Sequence, residues 1–343
     1  MDIHAYVWLI TVVVLIGILA VDVFVIGRRP HVPSMKECGI AVTIFVLMAI
    51  LFGIGVTYFS GAKYGKQFFA GWLTEYSLSI DNLFIFLIIM EKMRVPRHLQ
   101  QFALLVGIIL ALVFRGVFIA MGAAMIAAAA WVFFIFGAFL IYTAIDLLRD
   151  YLQKDHEDEA TDNFFIRFVR RRLPSTGDWH GTRMTITEGG RRLITPMFMV
   201  IVALGSTDIL FALDSIPAIY GLTSEPFLVF TANVFALMGL RQLYFLLGGA
   251  LRKLVYLSLG LSVILAFIGV KLVLHAMHHY HLDQEWFGRS LEVSIEVSLA
   301  VIVGTLVLTT VASLIKSSRT KPEEDPHPMG HVPADEVDQV TDH

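Results

Sequence analysis

Apolar runs about as long as a lipid bilayer is thick recur along most of the chain, separated by short polar joints. A window of about 19 residues places them at 6–26, 40–59, 68–90, 193–220, 227–250, 254–276 and 293–315, with one longer run at 102–148. A membrane-crossing helix needs about 20 residues, so the long run must fold once, and the alanine-rich stretch 123–130 is the expected reversal. The pattern predicts an all-α, polytopic membrane protein with nine transmembrane helices.

Nine spans put the termini on opposite sides of the membrane, and the basic residues alternate accordingly. One set of joints holds twenty lysines and arginines, nine of them between Arg149 and Arg192, while the other holds only Lys63, Lys66 and Arg289. Basic loops stay in the cytoplasm, which predicts an inner-membrane protein with its N-terminus outside and its C-terminus inside. Arg115, Arg241 and Lys271 are left within spans.

Composition agrees: 57% of the 343 residues are hydrophobic and 16% charged, too much apolar surface for a water-soluble core. A formal net charge of -3 gives no basic patch for nucleic acid. The single cysteine, Cys38, excludes an internal disulfide and a thiolate metal cluster, which favours hard metals that take oxygen ligands. The first apolar run is too long for a signal-peptide core and is read as a retained span. Residues 150–192 form the one sizeable polar loop, too short for an independent enzyme, and the acidic residues 317–343 read as a disordered tail.

The sequence also repeats itself. Glu75 and Asp81-Asn82 in the third span have the spacing of Asp208 and Asp214-Ser215 in the sixth: an acid, five residues, an acid, then a small polar residue. Arg115 precedes Gly122 by seven, as Arg241 precedes Gly248, and Tyr142 to Asp146 echoes Phe267 to Lys271. Three helices are an odd number, so residues 193–277 should enter the membrane from the side opposite to residues 63–149, as an inverted repeat. Such folds bind substrate near the midplane, between the repeats. The two N-terminal spans (1–62) and the ninth span with its outer loop (278–316) flank the pair.

An ionised carboxylate at mid-bilayer costs about 3 kcal/mol on insertion scales, so two acids in each of two spans need a reason. A divalent cation neutralises two carboxylates at once and completes its shell from amide, hydroxyl and carbonyl oxygen. The expected metal ligands are Glu75, Asp81, Asn82, Asp208, Asp214 and Ser215. Accessory positions are Asp22 and Leu213, whose carbonyl Pro217 deprives of its helical donor, with local opening of the helix expected there. Six residues turn a helix about 600°, so the two acids of one span cannot hold one ion together. The reading adopted puts Asp81 and Asp214 at the central ion and Glu75 and Asp208 outside it. The bland alternative pairs these acids with Arg115, Arg241 and Lys271 as packing elements. His275, His278, His279 and His281 read as an interfacial polar cluster, with a metal relay or pH sensor as the sharper alternative.

The segments around Glu75 to Asn82, Phe136 to Thr143 and Phe211 to Ile219 resemble the TerC/Alx family of integral membrane proteins, and the resemblance runs from the first span to the ninth. It implies manganese export and kinship with lysine-exporter-like transporters. Family members often carry a glutamate three residues before the acid matching Asp208; here that position is Gly205.

Together these readings predict a secondary transporter, not an enzyme, exporting a divalent metal ion, Mn2+ first, against protons. No cofactor is expected; Mn2+ enters as substrate, protons and the lipid bilayer are the other partners, and a homo-oligomer is compatible with the sequence. The competing readings are an amino-acid exporter, a non-transporting scaffold for stress-resistance proteins, and an intramembrane aspartyl protease, which the loose likeness of Gly205-Ser-Thr-Asp208 to a protease signature suggests.

Overall fold

The computed structural model describes residues 4–28, 34–153, 176–188, 191–247, 256–287, 291 and 293–319. The helices are α1 (Ala5–Arg28), α2 (Met35–Ser60), α3 (Ala62–Lys92), α4 (Arg97–Ala128), α5 (Val132–Gln153), α6 (Pro196–Tyr220), α7 (Pro226–Leu237), α8 (Leu240–Leu247), α9 (Leu257–His279), α10 (Leu282–Phe287) and α11 (Ile295–Arg319). Eight membrane-crossing stretches of sufficient length and apolarity lie among the described residues, α7 and α8 counting as one, and α1 adds a shorter apolar stretch at Tyr6–Val21. The molecule is a polytopic all-α membrane protein. The acidic tail beyond residue 319, most of the central loop, Gly248 and the side chain of Asp22 lie outside the described residues.

Local chemistry sets the joints. Ser34 caps α2 in a reciprocal box: Glu37 N–H donates to Ser34 Oγ at 3.3 Å and Ser34 N–H to Glu37 Oε2 at 2.9 Å. Gly61, at φ 102°, turns α2 into α3 in a conformation that only glycine adopts cheaply. The long run 102–148 folds at the alanine stretch, between the end of α4 at Ala128 and the start of α5 at Val132. The sixth run begins later than its apolar residues suggest. Leu193 and Ile194 belong to a hairpin of β1 (Thr185–Glu188) and β2 (Arg191–Ile194). Thr195 then caps α6, accepting from Phe198 N–H at 3.4 Å, and Pro196 takes the first helical position.

Two expectations are corrected. The seventh span is not one helix: α7 ends at Leu237, Met238 is extended, and Gly239 at φ 81° starts α8 on a new path. Conversely, α6 does not open at Pro217 but continues to Tyr220. Pro217 lies in the last turn, so the bond it removes from the Leu213 carbonyl is one of few remaining there, and the Pro217 carbonyl still accepts from Gly221 N–H at 2.9 Å.

Helix packing has the exchange pattern of an inverted repeat. α4 packs on α6 as α7 packs on α3; α5 touches α6 as α9 touches α3; and α3 with α6, and α5 with α9, are the self-equivalent pairs. The α7–α8 span is the most enclosed, with 89% of its apolar window buried, against 17% for α2 and for α11. Lipid-facing residues such as Leu51, Phe59 and Leu308 therefore sit on the flanking helices, and the repeat helices form the interior. α11 is tied to the repeats by Lys66 Nζ on Glu296 Oε1 (2.6 Å) and Lys271 Nζ on Ser298 Oγ (2.9 Å).

Candidate functional site

α3 and α6 cross the interior in opposite directions. The Thr223 hydroxyl donates to Gln67 Oε1 at 3.1 Å, and a Cβ at Gly71 would stand 3.4 Å from Ile219 Cγ2. Both contacts pair a residue near the start of α3 with one near or just past the end of α6, and continuing the register sets Leu78 and Ser79 opposite Ala212 and Phe211. At 1.5 Å per residue, Glu75 and Asp208 lie about 5 Å to either side of that level, and Asp81 and Asp214 about 4 Å. All four acids thus occupy one central slab.

Within the slab the structure joins Glu75 and Asp208. Arg115 on α4 pairs with Glu75 Oε1 through Nη1 and with Asp208 Oδ1 through Nη2, the latter at 3.1 Å. The side chains are 1%, 0% and 3% exposed respectively, so this is a desolvated triad rather than a surface pair. Asn82 joins it. With its amide assigned to satisfy its neighbours, the oxygen accepts from Arg115 Nη2 at 3.1 Å and the nitrogen donates to the Leu78 carbonyl at 3.0 Å. Glu75 Oε2, Asp208 Oδ2, Ser79 Oγ and Ser215 Oγ are buried and have no hydrogen-bond partner. Two carboxylates around one guanidinium leave a negative charge over, and burying such a charge costs several kcal/mol.

Asp81 and Asp214 are not brought together. Six residues from Glu75 and Asp208, they face other neighbours, as the 600° rotation requires. Ser258 Oγ on α9 donates to Asp81 Oδ1 at 3.3 Å, and Thr143 Oγ1 on α5 donates to Asp214 Oδ1 at 3.2 Å. Each acid of one repeat is held by a hydroxyl of the third helix of the other. In this conformation Arg115 joins Glu75 with Asp208, while Asp81 and Asp214, expected at a central ion, lie apart on α9 and α5 contacts. For Glu75 and Asp208 the pairing with Arg115 is the one the bland alternative expects, and the seven-residue echo of Arg115 with Arg241 is the signal in the sequence that singles the arginine out. Leu213 is 39% exposed, among the outward-facing apolar residues.

Gly205 packs closely on α4: a Cβ there would meet Leu110 Cδ1 at 3.3 Å. The histidines do not converge. His278 Nδ1 bonds the buried Asp283 at 2.8 Å, His275 packs edge-on against Phe133, and among the described residues no group of three or more His, Cys, Asp or Glu could hold a metal ion. The four span acids, too, do not form such a cluster in this conformation.

The family described as "Integral membrane protein TerC family" matches residues 60–321. An uncharacterized membrane protein of Mycobacterium tuberculosis (strain ATCC 25618 / H37Rv) is 46% identical over 79% of this chain and 69% of its own length. One of Myxococcus xanthus is 41% identical over 78% and 83%. The Escherichia coli (strain K12) protein named "Putative membrane-bound redox modulator Alx" is 34% identical over 78% and 85%. No solved structure matches the chain.

Proposed function

The chain belongs to the TerC family of integral membrane proteins, and from that premise we propose that it is a secondary transporter, not an enzyme, which exports a divalent metal ion, Mn2+ first, in exchange for protons. The observation that carries this reading is the pair of buried carboxylate oxygens, Glu75 Oε2 and Asp208 Oδ2, one from each repeat, without partners beside a single guanidinium. A proton on one acid brings the triad to neutrality, whereas a dication neutralises the two carboxylates by itself and displaces the guanidinium from them, and those are the two states an exchanger alternates between. Hard oxygen donors of this kind, with Ser215 and Asn82 beside them, suit Mn2+, Mg2+ or Ca2+ rather than a soft metal.

Asp81 and Asp214, on opposite sides of the midplane and each accepting from a hydroxyl of the other repeat, serve as the carboxylates through which the ion reaches and leaves the central pair. Rocking of the repeats would open one or the other route. The alternation of basic loops supports an inner-membrane location with the N-terminus outside and the C-terminus in the cytoplasm. The aspartyl-protease reading loses support because Asp208, the acid of the loose signature, is paired with Arg115, and Asp81 and Asp214 face different helices. The redox role in the name of the Alx relatives finds no dithiol pair here, since Cys38 is the only cysteine and is 1% exposed.

Cells made manganese-sensitive test the reading. The wild-type chain should restore growth in excess Mn2+, and Asp208→Asn, Asp81→Asn and Asp214→Asn should each abolish the rescue while the protein stays in the membrane. Full rescue by Asp208→Asn would refute the exchange site, and rescue by all four core acids neutralised together would favour the scaffold reading.

A further inference from the structure

Arg115 cannot keep both carboxylates once a dication takes them, because guanidinium and metal compete for the same oxygens and repel each other. A buried arginine released from its acids needs another acceptor within reach. Asn233 on α7 fits that requirement. It is 1% exposed, and both its side-chain oxygen and nitrogen lack any hydrogen-bond partner, an arrangement that costs a few kcal/mol unless some other state satisfies it.

Its place on the helix sets it at the level of Arg115. α4 and α7 pack together; Leu112 and Leu237 line one crevice, and Ile119 and Val229 belong to one apolar cluster. Along the facing stripes, stepping from Leu112 to Ile119 passes Arg115 midway, and stepping from Leu237 to Val229 passes Asn233 midway. Arg115 Nε, like the Asn233 amide, has no hydrogen-bond partner in this conformation. Five residues beyond Asn233, extended Met238 and then Gly239 interrupt the helix, so the helix bearing Asn233 is not rigidly continued into α8.

The geometry points to Asn233 as the residue that receives Arg115 when the transported cation occupies Glu75 and Asp208, a positioning residue that acts through the arginine. This rests on the proposed exchange at that carboxylate pair. An apolar isostere separates the role from a structural one, since replacing an unpartnered buried amide by a hydrocarbon is neutral or stabilising.

The experiment follows the thermal unfolding of the full-length protein in detergent as MnCl2 is added. Asn233→Leu should unfold at the wild-type temperature or higher without metal, yet need at least tenfold more Mn2+ for half-maximal stabilisation. In an Arg115→Lys background, whose shorter ammonium cannot bridge the same distance, Asn233→Leu should add less than a twofold further change. A lower metal-free unfolding temperature for Asn233→Leu, an unchanged Mn2+ dependence, or the full tenfold loss persisting beside Arg115→Lys would overturn the assignment. Asp208→Asn separates the two layers: if it retains the wild-type Mn2+ response, the exchange site itself fails and this assignment with it, whereas loss in Asp208→Asn with a normal response in Asn233→Leu sinks this assignment alone.

Discussion

The second helices of the two repeats, which share an arginine and the spacing that follows it, are built differently. α4 runs unbroken for 32 residues and presents Arg115 to the acids of both α3 and α6. Its counterpart is split into α7 and α8 two residues before Arg241, so the same sequence signal sits on a rod in one repeat and beside a joint in the other. In the proposed exchange the unbroken α4 would hold the charge arrangement and the interrupted span would be the half that yields. The flanking carboxylates, by contrast, are mirror images: Asp81 on Ser258 of α9 and Asp214 on Thr143 of α5. Symmetry at the flanks and asymmetry at the centre are the arrangement to be tested.

The largest effect should come from removing the rod's charge. Arg115→Leu leaves Glu75 and Asp208 buried without their cation, a loss of about 3–5 kcal/mol, and the purified protein should fail to fold or unfold well below the wild type in a denaturant titration. Next comes the joint: Gly239→Val forces a branched side chain into φ 81°, with its Cβ 3.0 Å from Phe45 Cδ2, which should cost about 1–2 kcal/mol for the backbone alone and lower the unfolding temperature. Then Thr143→Val and Ser258→Ala each delete one hydrogen bond worth about 1 kcal/mol; transport assays should find the two losses alike, about fivefold each, and a much larger loss in one would break the mirror relation. Smallest is Gly116→Ala on the rod, where an added Cβ meets nothing within 4 Å. It should stabilise by about 0.5–1 kcal/mol, opposite in sign to the change at Gly239.

Much of this was legible in the residues because lipid imposes simple rules. Span length and basic loops outline the helices, and the reversal of the 102–148 run fell within its alanine stretch. The acid-to-acid spacing pointed to α3 and α6, which do meet at the centre. What stayed hidden depends on rotation about helix axes and on backbone torsion. The 600° rotation alone said that Glu75 and Asp81 diverge, but not which of them faces the other repeat. A proline in the last turn, Pro217, breaks little, whereas Gly239, unremarkable in an apolar run, ends a helix by taking a positive φ after extended Met238. Asn233 carried no pattern at all; only its burial without a partner marks it.

The most direct test of the account is Mn2+ movement into sealed proteoliposomes containing the purified chain, with an imposed pH gradient and a pH-sensitive dye in the same vesicles. Wild-type protein should move Mn2+ and protons in opposite directions, with both fluxes absent in Glu75→Gln and Asp208→Asn. Mn2+ entry at the wild-type rate through the Asp208→Asn protein, or Mn2+ entry with no proton countermovement, would contradict exchange at the paired carboxylates.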